Sequence, residues 1–132
     1  MSAMEPGMEA MLDTFIHETD TMLEQLDEIL MESERAKNIN VENINSIFRI
    51  THTIKSSAAM MGFTSVSKLS HSVEDVFYII REHPEKLALI FDSIFDLVFQ
   101  TSDFLKHELE LIQDADYVEN SSDHLIAALE EQ

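Results

Sequence analysis

Apolar residues recur along the chain at helical spacing and mark out five segments. The first predicted helix runs from about Met8 to about Glu34. Its stripe is Met8, Met11, Leu12, Phe15, Met22, Leu23, Leu26, Ile29 and Leu30, with acids between. At this spacing the methionines read as core rather than as an adaptable binding surface. Asn38-Ile39-Asn40 interrupts the pattern, and Asn40 is placed to cap a second helix reaching about Met61. Its inward residues are Ile44, Ile47, Phe48, Thr51, Ile54, Ala58 and Met61. Gly62 ends it, because glycine accepts the left-handed backbone that closes helices. Thr64 is placed to cap a third helix, with Val66, Leu69, Val73, Val76, Phe77 and Ile80 inward and a stop near His83-Pro84. Proline suits the first turn of the next helix. That fourth helix, about Pro84 to Ile112, is apolar over more than half its circumference and is expected to touch several neighbours. A polar loop from Asp114 to Ser122 leads to a short helix, about Asp123 to Glu130, offering Leu125, Ile126 and Leu129.

Short connections make sequential helices antiparallel. The expected fold is therefore all-α: an antiparallel up-down four-helix bundle with a short fifth C-terminal helix, one domain over residues 1–132. A chain of 132 residues can bury a core without covalent staples. Two glycines and two prolines are too few for a turn-rich β fold. The lack of cysteine excludes a disulfide framework, a thiolate zinc site and a catalytic cysteine.

Charge narrows the partners. Twenty-six acidic residues against eight basic give a formal net charge of −18. Such a field repels phosphate backbones and anionic lipid, so neither nucleic acid nor a membrane surface is an expected partner. The segment Met1 to Gly7 has no basic region followed by an apolar run, so no signal peptide is read there. The most apolar window, Leu87 to Phe99, is interrupted by Asp92, Ser93 and Asp96 and falls short of the roughly 20 residues of a membrane span. A cytoplasmic location is the expectation.

Most catalytic signatures are missing. There is no phosphate-binding glycine loop, no dinucleotide fingerprint and no nucleophile elbow. None of the six histidines has a glutamate three residues before it, and no H-x-x-x-H occurs. The scattered acids read as solvated helix faces.

The histidines differ in placement. On the second helix His52 falls about 130° from the centre of the apolar stripe, counting roughly 100° per residue, and so faces solvent. Arg49 and Lys55 bracket it at i−3 and i+3, and Ser56 and Ala59 are small enough to let a bulky partner approach. On its own this stripe fits an ordinary exposed histidine whose cationic neighbours offset the surrounding acids. The third helix adds weight to the other reading. Reflection across a turn near Phe63 sets His52 level with Glu74 or Asp75 and Lys55 level with His71. His71, Glu74, Asp75 and Tyr78 share one helical face. A carboxylate accepting the Nδ1 proton of His52 would fix its tautomer and leave the Nε2 lone pair outward, which a nucleophilic histidine needs. His17, His83, His107 and His124 read as surface or capping residues.

The segment from Thr51 to Phe63, THTIKSSAAMMGF, is similar to the phosphorylation segment of histidine phosphotransfer (HPt) domains. The segment from Leu69 to Asp75, LSHSVED, resembles the H-x-x-E segment of the N-terminal phosphotransfer domains of CheA-type chemotaxis histidine kinases. The resemblance implies a helical bundle carrying a phosphoryl group in two-component signalling. His52 would be the phospho-acceptor, Glu74 its hydrogen-bond partner, and Lys55 and His71 the supporting polar shell. It implies no cofactor or metal bound by this chain. A separate histidine-kinase domain would bind ATP, and a response-regulator receiver domain would accept the phosphoryl group on an aspartate. Dimerisation lies elsewhere in such kinases, so a monomer is implied. The family usually has glycine directly after the lysine, where this chain has Ser56.

Three other readings remain at this point: a free-standing phosphorelay protein, a helical docking module whose His52 is never phosphorylated, and a metal site built from His52, His71 and Glu74. Lys55 and Arg49 argue against a dication at that spot.

Overall fold

The computed structural model describes residues 6–114 and 116–132; the segment Met1–Glu5 and Ala115, within the expected loop, lie outside them. The described residues are mostly helical and contain no strand. Five α-helices follow in order: α1 (Pro6–Ala36), α2 (Val41–Met61), α3 (Thr64–Glu82), α4 (Leu87–Ile112) and α5 (Asp123–Glu130). A single 3-10 turn, Pro84–Lys86, precedes α4. Proline therefore opens that turn rather than the α-helix itself, as its missing N–H permits. None of the described helices is long and apolar enough to cross a membrane.

The helices pack as a closed ring. α1 touches α2 and α4, and α3 touches the same two, while the diagonal pairs do not approach among the described residues. α5 lies across α3 and α4. One continuous core fills the ring, with Leu23, Ile47, Ile54, Leu69, Phe77, Ile94 and Phe95 sealed from solvent. Burying a side chain of this size contributes about 1.5–3 kcal/mol. The apolar stripe of α3 is the one expected; on α2, Phe48 and Met61 are only half-buried, and Ile50, outside the expected stripe, is buried. The start of α1 differs. Met8 and Met11 are exposed, and Met11 lines a shallow groove against Met60 and Met61 instead of entering the core.

Two helix ends use the same closure with different residues. After α2, Gly62 adopts φ 81°, and the Phe63 N–H reaches the Ala58 carbonyl at 2.8 Å. After α1, Lys37 adopts φ 55°, and the Asn38 N–H reaches the Ser33 carbonyl at 3.1 Å. Both are left-handed terminations that satisfy orphan carbonyls. At the start of α2 the Asn40 side chain accepts the Asn43 N–H at 2.7 Å, the cap expected there.

Thr64 does not cap α3, which is a correction. It is the first helical residue, and no local side chain caps that end. Glu119 does so from the loop before α5, accepting the Ser65 N–H at 2.9 Å. A carboxylate there satisfies an orphan donor and opposes the positive end of the helix dipole. Ser65 Oγ also donates to the Asn120 carbonyl at 2.6 Å. The loop is held in turn by Glu108 of α4. Its carboxylate accepts from Tyr117 Oη at 2.7 Å, Asn120 Nδ2 at 2.6 Å and Asn120 N at 3.2 Å.

Candidate functional site

Gly62 folds α3 back along α2. Near the turn Ser67 Oγ donates to the Lys55 carbonyl at 3.0 Å, and farther from it Glu74 meets His52. The two helices therefore run in opposite directions with the register expected by reflection. His52 and Lys55 stand one turn apart on α2, and His71 and Glu74 one turn apart on α3, so four polar side chains converge.

Glu74 is the centre of the cluster. Its Oε2 lies 2.6 Å from Nδ1 of His52, and its Oε1 accepts from Lys55 Nζ at 2.7 Å. The Glu74 side chain is only 8% exposed, against 58% for His52 and 25% for Lys55. Burial pushes the Glu74 carboxyl up. The hydrogen bonds from Lys55 and then His52, with their charges, pull it down further, and its pKa ends below the ordinary value. Glu74 is thus an anion at neutral pH and can only accept. The proton in the 2.6 Å contact must then sit on Nδ1 of His52. A neutral imidazole held this way presents the Nε2 lone pair on its exposed side.

Reflection left Glu74 and Asp75 as alternatives, and the structure selects Glu74. Asp75 pairs instead with His71, whose Nε2 is 3.2 Å from Asp75 Oδ2. His71 Nδ1 stands 3.6 Å from Glu74 Oε1, beside it but beyond hydrogen-bond length. Arg49 brackets His52 along the helix, yet its Nη2 turns to Ser46 Oγ at 3.3 Å. Ser56 and Ala59 are exposed and leave the approach to His52 low-walled. His17, His83, His107 and His124 are all on the surface.

The sequence did not reveal the burial of Glu74. Its spacing sets it apart from the Val66, Leu69 and Val73 stripe, yet its side chain is buried and bonds to His52 and Lys55 of α2. The clamp of Glu108, Tyr117 and Asn120 was also missed. Its signal was present: Glu108 falls on the stripe of Thr101, Leu105 and Ile112, where an acid needs partners.

Among the described residues, the three ligand-capable side chains whose atoms all lie within 4.8 Å of one another are His71, Glu74 and Asp75, rather than His52, His71 and Glu74. Lys55 and His52 already engage both oxygens of Glu74, so a dication there would have to displace an ammonium group.

The Hpt domain family matches residues 10–115, and the chain belongs to that family. It is 32% identical over 107 residues to the sensor histidine kinase CheAY of Helicobacter pylori, covering 81% of this chain and 13% of that protein. It is 32% identical over 111 residues to the chemotaxis protein CheA of Borreliella burgdorferi, covering 84% of this chain and 12% of that one. The chemotaxis protein CheA of Listeria monocytogenes is 33% identical over 103 residues, covering 78% of this chain and 16% of that protein. The chain thus spans less than a fifth of the length of these curated relatives. No solved structure matches significantly.

Proposed function

We propose that this chain is the phosphoryl-carrying domain of a chemotaxis histidine kinase, with His52 as the acceptor. The observation that carries the reading is the 2.6 Å contact between Nδ1 of exposed His52 and the buried, ionised Glu74, which leaves Nε2 free. The arrangement is a single domain over residues 1–132, an antiparallel up-down four-helix bundle with α5 packed on it. It works in the cytoplasm, as a monomer, where ATP is available.

In the forward step Nε2 attacks the γ-phosphorus of ATP held by a separate kinase domain. The N–P bond forms, the bond to the bridging oxygen breaks, and ADP leaves. The imidazole gains positive charge as this happens, and Glu74 lies beneath it as a fixed anion. Lys55 is held on Glu74 Oε1, where its charge offsets that of the incoming phosphoryl oxygens, and His71 completes the polar surround. Arg49 adds cationic charge on the same stripe. In the second step a receiver-domain aspartate oxygen attacks the same phosphorus, the N–P bond breaks, and Nε2 recovers its lone pair. This chain binds no cofactor or metal in either step. The H-x-x-E segment and the relative named a sensor histidine kinase support a kinase domain over a free-standing phosphorelay protein.

A second reading, a docking module that is never phosphorylated, is favoured by Ser56 standing where the resembled family has glycine. One experiment separates the two. The chain is incubated with a cognate kinase domain and labelled ATP, and acid-labile label is sought alongside a ³¹P signal for a phosphohistidine. The carrier reading expects label on the wild type, on Nε2, and none on His52→Gln. Label on His52→Gln at the wild-type rate overturns the assignment, and no label on either leaves the docking module.

A further inference from the structure

We propose that Arg81, stacked on Phe48 and Tyr78, is the anchor through which an acidic face of the receiver domain docks beside His52. This rests on the phosphoryl-carrier reading and adds the chemistry of the partner's surface to it. The Arg81 guanidinium carbon lies 4.4 Å from the centroid of the Phe48 ring and 5.6 Å from that of Tyr78. The two rings are 6.5 Å apart and tilted, so they form a shelf bridging α2 and α3. In a chain with 26 acidic residues, no described carboxylate comes within 4.0 Å of Arg81. Its charge is held by aromatic faces and remains available to an incoming anion.

The position matters as much as the charge. Phe48 precedes His52 by one turn of α2, and Tyr78 follows Glu74 by one turn of α3. The shelf is therefore the next layer of the same helical hairpin, about 6 Å along from the imidazole. Arg49, Lys55 and Arg81 gather three of the eight basic residues around it. A second copy of the chain is the wrong occupant, because two bodies each carrying −18 repel. A domain that presents an acceptor aspartate brings carboxylates to this place. Arginine and tyrosine packed together also form the kind of anchor that dominates protein interfaces, and stacking limits the freedom the guanidinium loses on binding.

The test is an NMR titration of the unphosphorylated chain with the receiver domain of a chemotaxis response regulator. Arg81→Ala is expected to raise Kd about tenfold and to flatten its dependence on salt. Arg81→Lys, which keeps the charge but stacks poorly, is expected to recover part of the loss. Arg35→Ala changes net charge equally on α1 and is expected to leave Kd alone. Wild-type affinity in Arg81→Ala, an equal loss in Arg35→Ala, or no wild-type binding at millimolar concentration overturns the anchor. Failure to label His52 with a kinase domain would sink the carrier reading separately, while the Kd comparison still decides the role of Arg81.

Discussion

In the His52–Glu74 pair the acid is buried and the imidazole is exposed, with Nδ1 and Oε2 2.6 Å apart. The asymmetry suits a carrier. The group that must meet two partners stands in solvent, and the group that only orients it is held from below by Lys55. Glu74→Gln keeps an acceptor for Nδ1 but loses the charge and its hold on Lys55. Phosphoryl transfer from a kinase domain is expected to slow on the order of a hundredfold, the low end for proton-handling groups and the value fitting an open site. Rapid-quench labelling measures it, with His17→Gln as an unaffected control. Wild-type rates in Glu74→Gln would remove the orienting role and leave His52 as the acceptor.

The same carboxylate makes stability depend on pH in a definite sense. Burial raises the Glu74 pKa, but the hydrogen bonds from Lys55 and His52 lower it more, so the folded value lies below the ordinary 4.5. A depressed acid binds its proton more weakly in the folded state. Its contribution is complete above the unfolded value near 4.5 and disappears as pH falls through the folded one. Urea unfolding of wild type and Glu74→Gln across acidic pH should show a constant difference above that value and a closing one below it. A difference that widens with acid contradicts the assignment.

Local periodicity carried most of the fold. Ile44, Ile47, Ile54 and Ala58 on α2, and Val66, Leu69, Val73 and Phe77 on α3, are buried because their spacing fixes one face. Gly62 then fixed the hairpin, and counting from it was enough to pair His52 with the right turn of α3. What escaped was non-local. The donor at the start of α3 is satisfied by Glu119, 54 residues away, which no capping pattern around Thr64 could show. Met11 sits at core spacing, but only the packing reveals that it borders an open groove with Met60 and Met61. The two hydrogen bonds of Glu74 come from side chains of another helix, which no local pattern on α3 displays.

Lys37 and Gly62 occupy equivalent left-handed positions, at φ 55° and φ 81°. An L residue with a Cβ pays roughly 1–2 kcal/mol there, and glycine does not. Lys37→Gly is expected to stabilise the chain by up to about 1 kcal/mol, and Gly62→Ala to destabilise it by about as much. Nothing lies within 4 Å of a Cβ built on Gly62, so the cost is backbone strain and not a clash. Equilibrium unfolding gives both signs, and a stabilising Gly62→Ala would contradict the closure described.

Glu108 is fully buried and accepts three hydrogen bonds from the loop that caps α3. Burial, then the hydrogen bond and negative charge of Glu108, push the Tyr117 hydroxyl well above its ordinary pKa. Glu108→Gln leaves one carbonyl oxygen for three donors and turns its own amide toward Asn120. A buried donor left unpaired costs about 1–3 kcal/mol, so a loss of about 2–3 kcal/mol is expected, against about 1 kcal/mol for Tyr117→Phe. The consequence should travel in one direction. A loosened loop withdraws Glu119 from the Ser65 N–H, so amide exchange should accelerate in the first turn of α3. The His52–Glu74 contact lies more than two turns further along α3 and should hold. Unchanged exchange at Ser65 in Glu108→Gln would show that the loop does not secure the helix, even if the variant unfolds more easily.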